Sequence, residues 1–346
     1  MVIPDSQASA PRIAWVDAVR GGCVLAVVLF HFLAVYGPVL PAGPALTVWT
    51  RLGAFLAAFR MPLLFVVSGL IVSSRVRSGW SDRRNLARAV SSYYLYVVWL
   101  TLYALFALLP LPRPFAEIDS VPEYLRQFLV PATPLWFVFA LAVYVVILCS
   151  ARRVPPSVVL AVLAVVSVAS ESLFGFDLWV RVPFYLLFFA VGVHLRPWIE
   201  RQAELASVPR ALVAVALFAV LFAIEQVTSV PVLEETIRVA RDLAGVLAGV
   251  LVVVLACRSS VVRRPLAALG RETLPIYVLH FPLVLLVPLL PLEATAAGVG
   301  AFAAPLVGTA AVCLLCIGIE RITRRTPARH LFAAPARLTA AVSAHR

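Results

Sequence analysis

Residues 13–36 read IAWVDAVRGGCVLAVVLFHFLAVY, an apolar run long enough to cross a lipid bilayer. At 1.5 Å of rise per residue, about 20 helical residues span a hydrocarbon core of roughly 30 Å. The run exceeds the roughly 7–15-residue core of a secretory signal peptide and carries no clear A-x-A cleavage site. We therefore expect it to remain in the protein as a transmembrane helix, preceded by a short polar N-terminus at residues 1–11.

Similar apolar runs follow along the whole chain, and its composition excludes an ordinary soluble domain. Of the 346 residues, 62% are hydrophobic and 13% are charged, which leaves too little polar surface to face water. The pattern predicts an all-α, polytopic membrane helix bundle. Its ten spans lie at about residues 13–36, 54–75, 87–109, 134–151, 156–172, 178–195, 209–228, 237–257, 273–292 and 296–320.

Arginine supplies the whole basic charge behind the net charge of +12, because the chain contains no lysine. With the N-terminus inside, 21 of the 29 arginines fall on the cytoplasmic side and six on the outer side, the asymmetry that sets membrane topology. This distribution indicates topology and not a nucleic-acid surface. It predicts a multi-pass cell-membrane protein with both termini in the cytoplasm, a transmembrane domain over residues 12–322 and a basic tail over 323–346.

The five cysteines lie inside or at the ends of apolar runs. Cys313 and Cys316 form a C-x-x-C pair, but they lie within a predicted span, without the turn or the exposure that redox or zinc chemistry requires. We expect buried thiols, no metal site and no bound cofactor. The sequence also shows no internal repeat, so an inverted-repeat transporter gains no support.

The first span carries three ionisable side chains, which are costly inside a membrane and therefore candidates for function. Arg20 and His31 are eleven residues apart, which places them about 20° apart around the helix and roughly 16 Å apart in depth. Asp17 lies one turn before Arg20 and is positioned to pair with it. Two simpler interpretations stay open: a snorkelling Arg20 satisfied by Asp17, and a core His31 hydrogen-bonded to another helix.

The second span brings another arginine to the height of His31. Arg60 lies about 22 Å from the inner boundary of its span, and His31 lies at a similar height on the first span. We therefore expect the two side chains to meet in one cavity in the outer half of the membrane. Ser68 and Gly69 follow on the same helix, where close helix packing is preferred over a catalytic serine.

Four residues complete the set of candidates. Tyr277 and His280 are three residues apart and share one helix face, where a packing pair and a binding role are equally open. Trp136 begins the fourth span, where an aromatic belt at the membrane surface is an equally natural explanation. Glu320 ends the last span before the basic tail, where a neighbouring arginine is its expected partner.

Several of these residues belong to recognisable motifs. The sequence DAVRG at residues 17–21, followed by His31, resembles the first-helix signature of the acyltransferase-3 family of integral membrane acyltransferases. The stretch FRMPLLF at 59–65 is similar to that family's second-helix motif. Later landmarks follow in the family's order over about residues 12–322: LWF at 135–137, FFAVG at 188–192 and IYVLH at 276–280. The chain departs from the family at Thr133-Pro134, where a histidine often precedes LWF, and at Leu64, where the family usually has phenylalanine.

The resemblance implies transfer of an acyl group, usually acetyl, from cytoplasmic acyl-CoA as co-substrate to a hydroxyl of an acceptor. That acceptor is a cell-envelope glycan, a lipid-linked sugar or a small molecule, outside the cytoplasm or at the lipid bilayer. The resemblance also implies three roles: Arg20 holds the CoA phosphates or pantetheine, His31 acts as general base or transient acyl carrier, and Arg60 stabilises the oxyanion. Substrate-binding residues are then Asp17, Ser68, Trp136, Tyr277, His280 and Glu320.

Two other classes of function compete with this interpretation. A secondary transporter of a small polar solute would use the same intramembrane arginine and histidine side chains for binding or proton relay, although no repeat supports it. A membrane scaffold or accessory subunit would leave Arg20, His31 and Arg60 without a role.

Overall fold

The computed structural model describes residues 14–109, 118–174 and 180–344. Its regular structure in these ranges is helical, without a β-strand, which confirms the predicted all-α class. The predicted N-terminus at residues 1–11 lies outside the described residues. In chain order the α-helices are α1 (Ala14–Tyr36), α2 (Pro44–Ser78), α3 (Arg84–Phe106), α4 (Val121–Arg126), α5 (Trp136–Ser150), α6 (Pro156–Phe174), α7 (Arg181–His194), α8 (Arg196–Glu204), α9 (Val208–Val227), α10 (Pro231–Ala256), α11 (Ser260–Arg271), α12 (Thr273–Val284), α13 (Gly298–Thr323) and α14 (Ala336–Ala344).

Ten of these helices correspond in order to the ten predicted spans. In the described part of the chain, seven are long and apolar enough to cross a membrane: α1, α2, α3, α5, α9, α10 and α13. The helices α7 and α8 meet the same criteria together, with a bend of 73° between them, and α6 and α12 are shorter apolar helices. We call the end of the bundle that holds the start of α1 the inner end and the opposite end the outer end.

Two span boundaries differ most from the prediction. The helix α2 begins at Pro44 rather than near residue 54, because proline suits a first turn that needs no N–H donor. The buried Trp49 anchors these extra turns by donating its Nε1–H to the Ala301 carbonyl at 3.0 Å. The helix α12 ends at Val284 rather than near residue 292, and Pro288 lies in the 3₁₀ turn that follows.

Glycines hold the helices that carry the candidate residues at very short separations. A methyl group on Gly69 of α2 would lie 2.1 Å from the Phe189 carbonyl oxygen, and one on Gly192 of α7 would lie 1.9 Å from the Val66 carbonyl oxygen. Gly69 thus lies at a close contact between α2 and α7, as the packing interpretation predicted. On the other side of the bundle, a methyl group on Gly270 of α11 would lie 1.7 Å from the Asp17 carbonyl oxygen of α1.

The segment after α13 packs against α3. Trp99 donates its Nε1–H to the Leu331 carbonyl at 2.6 Å, and the Tyr94 hydroxyl donates to the His330 carbonyl at 3.2 Å. At the start of this segment Arg324 bridges the carboxylates of Glu272 and Glu320. The tail thus packs along α3.

Candidate functional site

A cavity of about 560 Å³ lies in the outer half of the bundle. Because α1, α2, α4, α5, α7 and α12 each contribute to its wall, residues from distant parts of the chain meet there. We call it the outer cavity. The polar and aromatic side chains of its wall include His31, Arg60, Glu123, Arg126, Gln127, Thr133, Trp136, Arg181, Tyr185 and Tyr277.

His31 is paired with a second histidine. Its Nδ1 lies 3.2 Å from Nε2 of His280, and the two ring centroids are 4.9 Å apart. His280 is fully buried on α12, whereas His31 is partly buried and lines the outer cavity. The ring of Phe281 packs edge-on against His31 at 5.5 Å and helps to hold its orientation.

The hydrogen bonds around this pair determine which nitrogen of each ring carries the proton. Nδ1 of His280 lies 2.7 Å from the Tyr277 carbonyl oxygen, which only accepts, so this nitrogen is the donor. Its Nε2 then carries a lone pair and accepts from Nδ1–H of His31, which also donates to the Val27 carbonyl at 2.9 Å. Neutral His31 therefore keeps its own lone pair on Nε2, as a general base requires.

Arg60 lies on the wall of the same cavity. Its side chain is only 9% exposed, and its guanidinium carbon lies 4.1 Å above the centre of the Phe30 ring. Among the described residues, its Nε and Nη1 atoms have no hydrogen-bond partner. Such a buried and unsatisfied guanidinium is costly, and it is available to an oxygen that carries negative charge.

A second, smaller cavity of about 210 Å³ lies toward the inner end. We call it the inner cavity. Arg20 and Arg88 both lie on its wall, so two positive charges face a space lined by Ser68 and Thr273. In the sequence, Arg88 counted only among the arginines that indicate membrane topology. The sequence alone does not show whether an arginine near the end of a span faces lipid or the interior of the bundle.

Tyr277 lines both cavities and lies at the boundary between them. Its hydroxyl donates to the Pro134 carbonyl oxygen and so ties α12 to the start of α5. Its ring also packs against Phe137 at 5.1 Å. The predicted stripe of Arg20 and His31 therefore faces two adjoining cavities, one for each residue, rather than a single space.

The remaining candidates lie in different surroundings. Asp17 pairs with Arg20 at 3.9 Å on α1, at the predicted spacing. The Ser68 hydroxyl donates to the Leu64 carbonyl at 2.7 Å, although the residue lines the inner cavity. Trp136 lies beneath the guanidinium of Arg181 at 5.9 Å.

Glu320, which was predicted to bind substrate, lies away from both cavities. It lies at the inner end of α13 and lines neither the outer nor the inner cavity. Its carboxylate accepts from Arg324 at 2.5 Å. Glu320 therefore acts as a partner for the arginine that begins the tail, which was the simpler expectation for it.

Several residues of the outer cavity were not among the predicted site residues, and Arg126, Arg181 and Tyr185 are three of them. Arg126 belongs to α4, and Arg181 and Tyr185 belong to α7. In the sequence, both arginines counted only as charges of outer segments, and Tyr185 lay in an apolar span.

No group of three or more histidine, cysteine or acidic residues that could hold a metal ion occurs among the described residues.

Comparison with known proteins places the chain among membrane acyltransferases. A sequence model of the acyltransferase-3 type, described as an acyltransferase domain, matches residues 13–321. The inner membrane protein YcfT of Escherichia coli K12 is 26% identical over 151 residues, which cover 38% of this chain and 42% of that protein. The chain thus aligns with less than half of the length of this curated relative. No solved structure matches.

Proposed function

Because the chain belongs to the acyltransferase-3 family, we propose that it transfers an acyl group, such as acetyl, from acyl-CoA to a hydroxyl of an acceptor. The donor enters from the inner cavity and the acceptor occupies the outer cavity. The observation that carries this proposal is the hydrogen-bonded pair of His31 and His280 beside the unsatisfied guanidinium of Arg60.

The chemistry begins at His31. Its Nε2 takes the proton of the acceptor hydroxyl while the hydroxyl oxygen forms a bond to the thioester carbonyl carbon, a contribution of typically about 10²–10⁴-fold. The resulting tetrahedral oxyanion receives hydrogen bonds from Arg60, each worth roughly 3–4 kcal/mol in comparable sites. Collapse of the intermediate breaks the carbon–sulfur bond, and the CoA sulfur leaves as a thiol with the proton from the His31 imidazolium.

His280 acts on this chemistry through His31. By accepting the Nδ1–H of His31, it supports, together with the Val27 carbonyl, the tautomer whose Nε2 is a base, and it stabilises the imidazolium that forms in the transition state. Its own Nδ1–H is committed to the Tyr277 carbonyl, which prevents the opposite arrangement. The pair therefore follows the general pattern of a base that is oriented by a third group.

The inner cavity suits the donor. Arg20 and Arg88 offer planar, permanently charged forks that recognise phosphate oxygens well. The thioester end of the donor must then pass Tyr277 to reach His31, because this residue alone among those discussed lines both spaces. Tyr277 is thus placed at the point where donor and acceptor meet.

The test is transfer of label from ¹⁴C-acetyl-CoA to an envelope extract by the purified protein in lipid nanodiscs. We expect the wild type to label the extract and to release CoA thiol, and His31→Ala to abolish both. The matched control is His194→Ala, since this histidine lies at the inner end of α7 and lines neither cavity. A wild type without transfer, or a His31→Ala variant with full transfer, would overturn the proposal. A transporter or scaffold consumes no acetyl-CoA.

A further inference from the structure

The outer cavity carries an excess of positive charge. Arg60, Arg126 and Arg181 all lie on its wall, and Glu123 is the one acidic side chain beside them in the described part of that wall. The Glu123 carboxylate also accepts the Asp119 N–H at 3.2 Å, in the manner of a residue that caps the start of α4. In the described part of the chain neither Arg60 nor Arg181 forms an ion pair with a carboxylate, so the wall around these two guanidinium groups carries net positive charge.

The contrast with the other deeply buried arginine of the bundle shows that this excess is specific to the cavity. Arg241 is 8% exposed, close to the 9% of Arg60, and it is bonded to the carboxylates of both Glu225 and Asp242. Among the described residues Arg60 has no such carboxylate, and a second arginine, Arg181, lies on the wall of the same cavity. A buried guanidinium without an anionic partner is rare in proteins and indicates an anion that the chain does not supply itself.

A transient oxyanion does not account for this cluster. It exists only in the transition state and carries a single charge, for which Arg60 is sufficient. Arg181 lies further along the wall, exposed to the cavity and stacked over Trp136 at 5.9 Å, so its planar fork is held ready for a planar or tetrahedral anion. The positive charge of Arg181 is therefore left for an anionic group of the bound substrate to balance.

We propose that the acceptor carries a phosphate or carboxylate group, which Arg181 binds while the acceptor's hydroxyl meets His31. This inference rests on the proposed function and names the acceptor's chemical class. The phosphates of the donor are a less suitable source of the anion, because the inner cavity has its own arginines, Arg20 and Arg88, on the far side of Tyr277.

The first test measures the charge of the product, whatever molecule the acceptor is. Envelope extract is labelled from ¹⁴C-acetyl-CoA by the wild type, freed of CoA and passed over an anion exchanger at neutral pH. We expect the His31-dependent label to be retained. Partition between organic solvent and water then distinguishes a lipid phosphate from an acidic glycan or a soluble acid. Label that flows through as a neutral product overturns this inference and leaves the proposed function standing, whereas absence of His31-dependent label overturns both.

The second test separates acceptor binding from donor binding. For Arg181→Gln we expect the KM for the extract to rise at least about tenfold, as for loss of a charge-assisted hydrogen bond, while the KM for acetyl-CoA changes less than about twofold. Inorganic phosphate should inhibit the wild type competitively against the extract and inhibit this variant much less. The control is Arg51→Gln, which removes the same charge from an exposed outer position away from both cavities. A rise in the KM for acetyl-CoA alone assigns the anion to the donor and overturns the inference.

Discussion

Nδ1 of His31 and Nε2 of His280 are 3.2 Å apart, although the two residues are separated by most of the chain. The contact joins the first span to the ninth and fixes the proton on the side of His31 that faces His280. The two histidines differ in their exposure: His31 lines the outer cavity, whereas His280 is buried behind it.

From this contact we predict that His280→Ala lowers kcat on the order of 10²-fold, because the alanine cannot accept the Nδ1–H of His31 and stabilise its imidazolium in the transition state. The KM values for both substrates should change little, since His280 does not line either cavity. Steady-state kinetics of acetyl transfer measure both quantities. A variant that keeps more than half of the wild-type kcat would show that His280 is only a packing residue.

Arg60 is predicted to contribute to catalysis and not to stability. For Arg60→Gln we expect kcat to fall about 10²–10³-fold through loss of oxyanion stabilisation, with an unchanged or higher thermal unfolding temperature, because Nε and Nη1 have no hydrogen-bond partner among the described residues.

The matched variant for Arg60 is Arg241→Gln, which leaves Glu225 and Asp242 buried without their cation. It should lose about 3–5 kcal/mol of stability. The unfolding temperature and kcat of both variants, measured in the same detergent, show whether each arginine contributes to stability or to catalysis. Equal destabilisation by the two substitutions would contradict the assignment of Arg60.

Tyr277 is predicted to keep water of the outer cavity away from the donor. Tyr277→Ala removes the ring that lies between the two cavities, so we expect acetyl-CoA hydrolysis without acceptor to rise several-fold. Tyr277→Phe retains the ring and loses only the bond to the Pro134 carbonyl, so its hydrolysis rate should stay closer to that of the wild type. Thiol release in the absence of extract measures this leak. No increase in the alanine variant would argue against a barrier at this position.

The contact between α11 and α1 is predicted to position the catalytic helix. In Gly270→Ala the new methyl group would lie 1.7 Å from the Asp17 carbonyl oxygen, so α1 must shift, at a cost of about 1–3 kcal/mol. The unfolding temperature and kcat should both fall. Gly318→Ala on α13 is the control, since a methyl group there meets no atom within 4 Å. Equal behaviour of the two variants would exclude a role for the close approach.

Much of this architecture follows from the sequence by simple rules. The length of apolar runs is set by the thickness of the bilayer, so the order of the apolar helices could be predicted. Of the ten predicted spans, seven are helices long and apolar enough to cross a membrane in the described part of the chain. The rise of a helix likewise placed His31 and Arg60 at one height. Neither rule reports how a helix is rotated about its axis. The encounter of His280 with His31 depends on that rotation, which close contacts such as Gly270 against α1 determine.

The sequence also did not show which way the charged side chains near span ends face. An arginine near a span end satisfies the topology rule whether it faces lipid headgroups or a cavity. Arg88, Arg126 and Arg181 were therefore counted for topology, and their direction toward the two cavities depends on tertiary packing. Glu320 shows the reverse case, because a buried acid at a span end looked like a binding group and proved to be the partner of Arg324.

The central claim is that the acyl group passes from a donor on one side of Tyr277 to an acceptor on the other side, at His31. Proteoliposomes with ¹⁴C-acetyl-CoA sealed inside and the extract outside test it most directly. The account predicts that wild-type protein labels the external extract and that His31→Ala does not. Labelling that occurs only when donor and extract are on the same side of the membrane would contradict it.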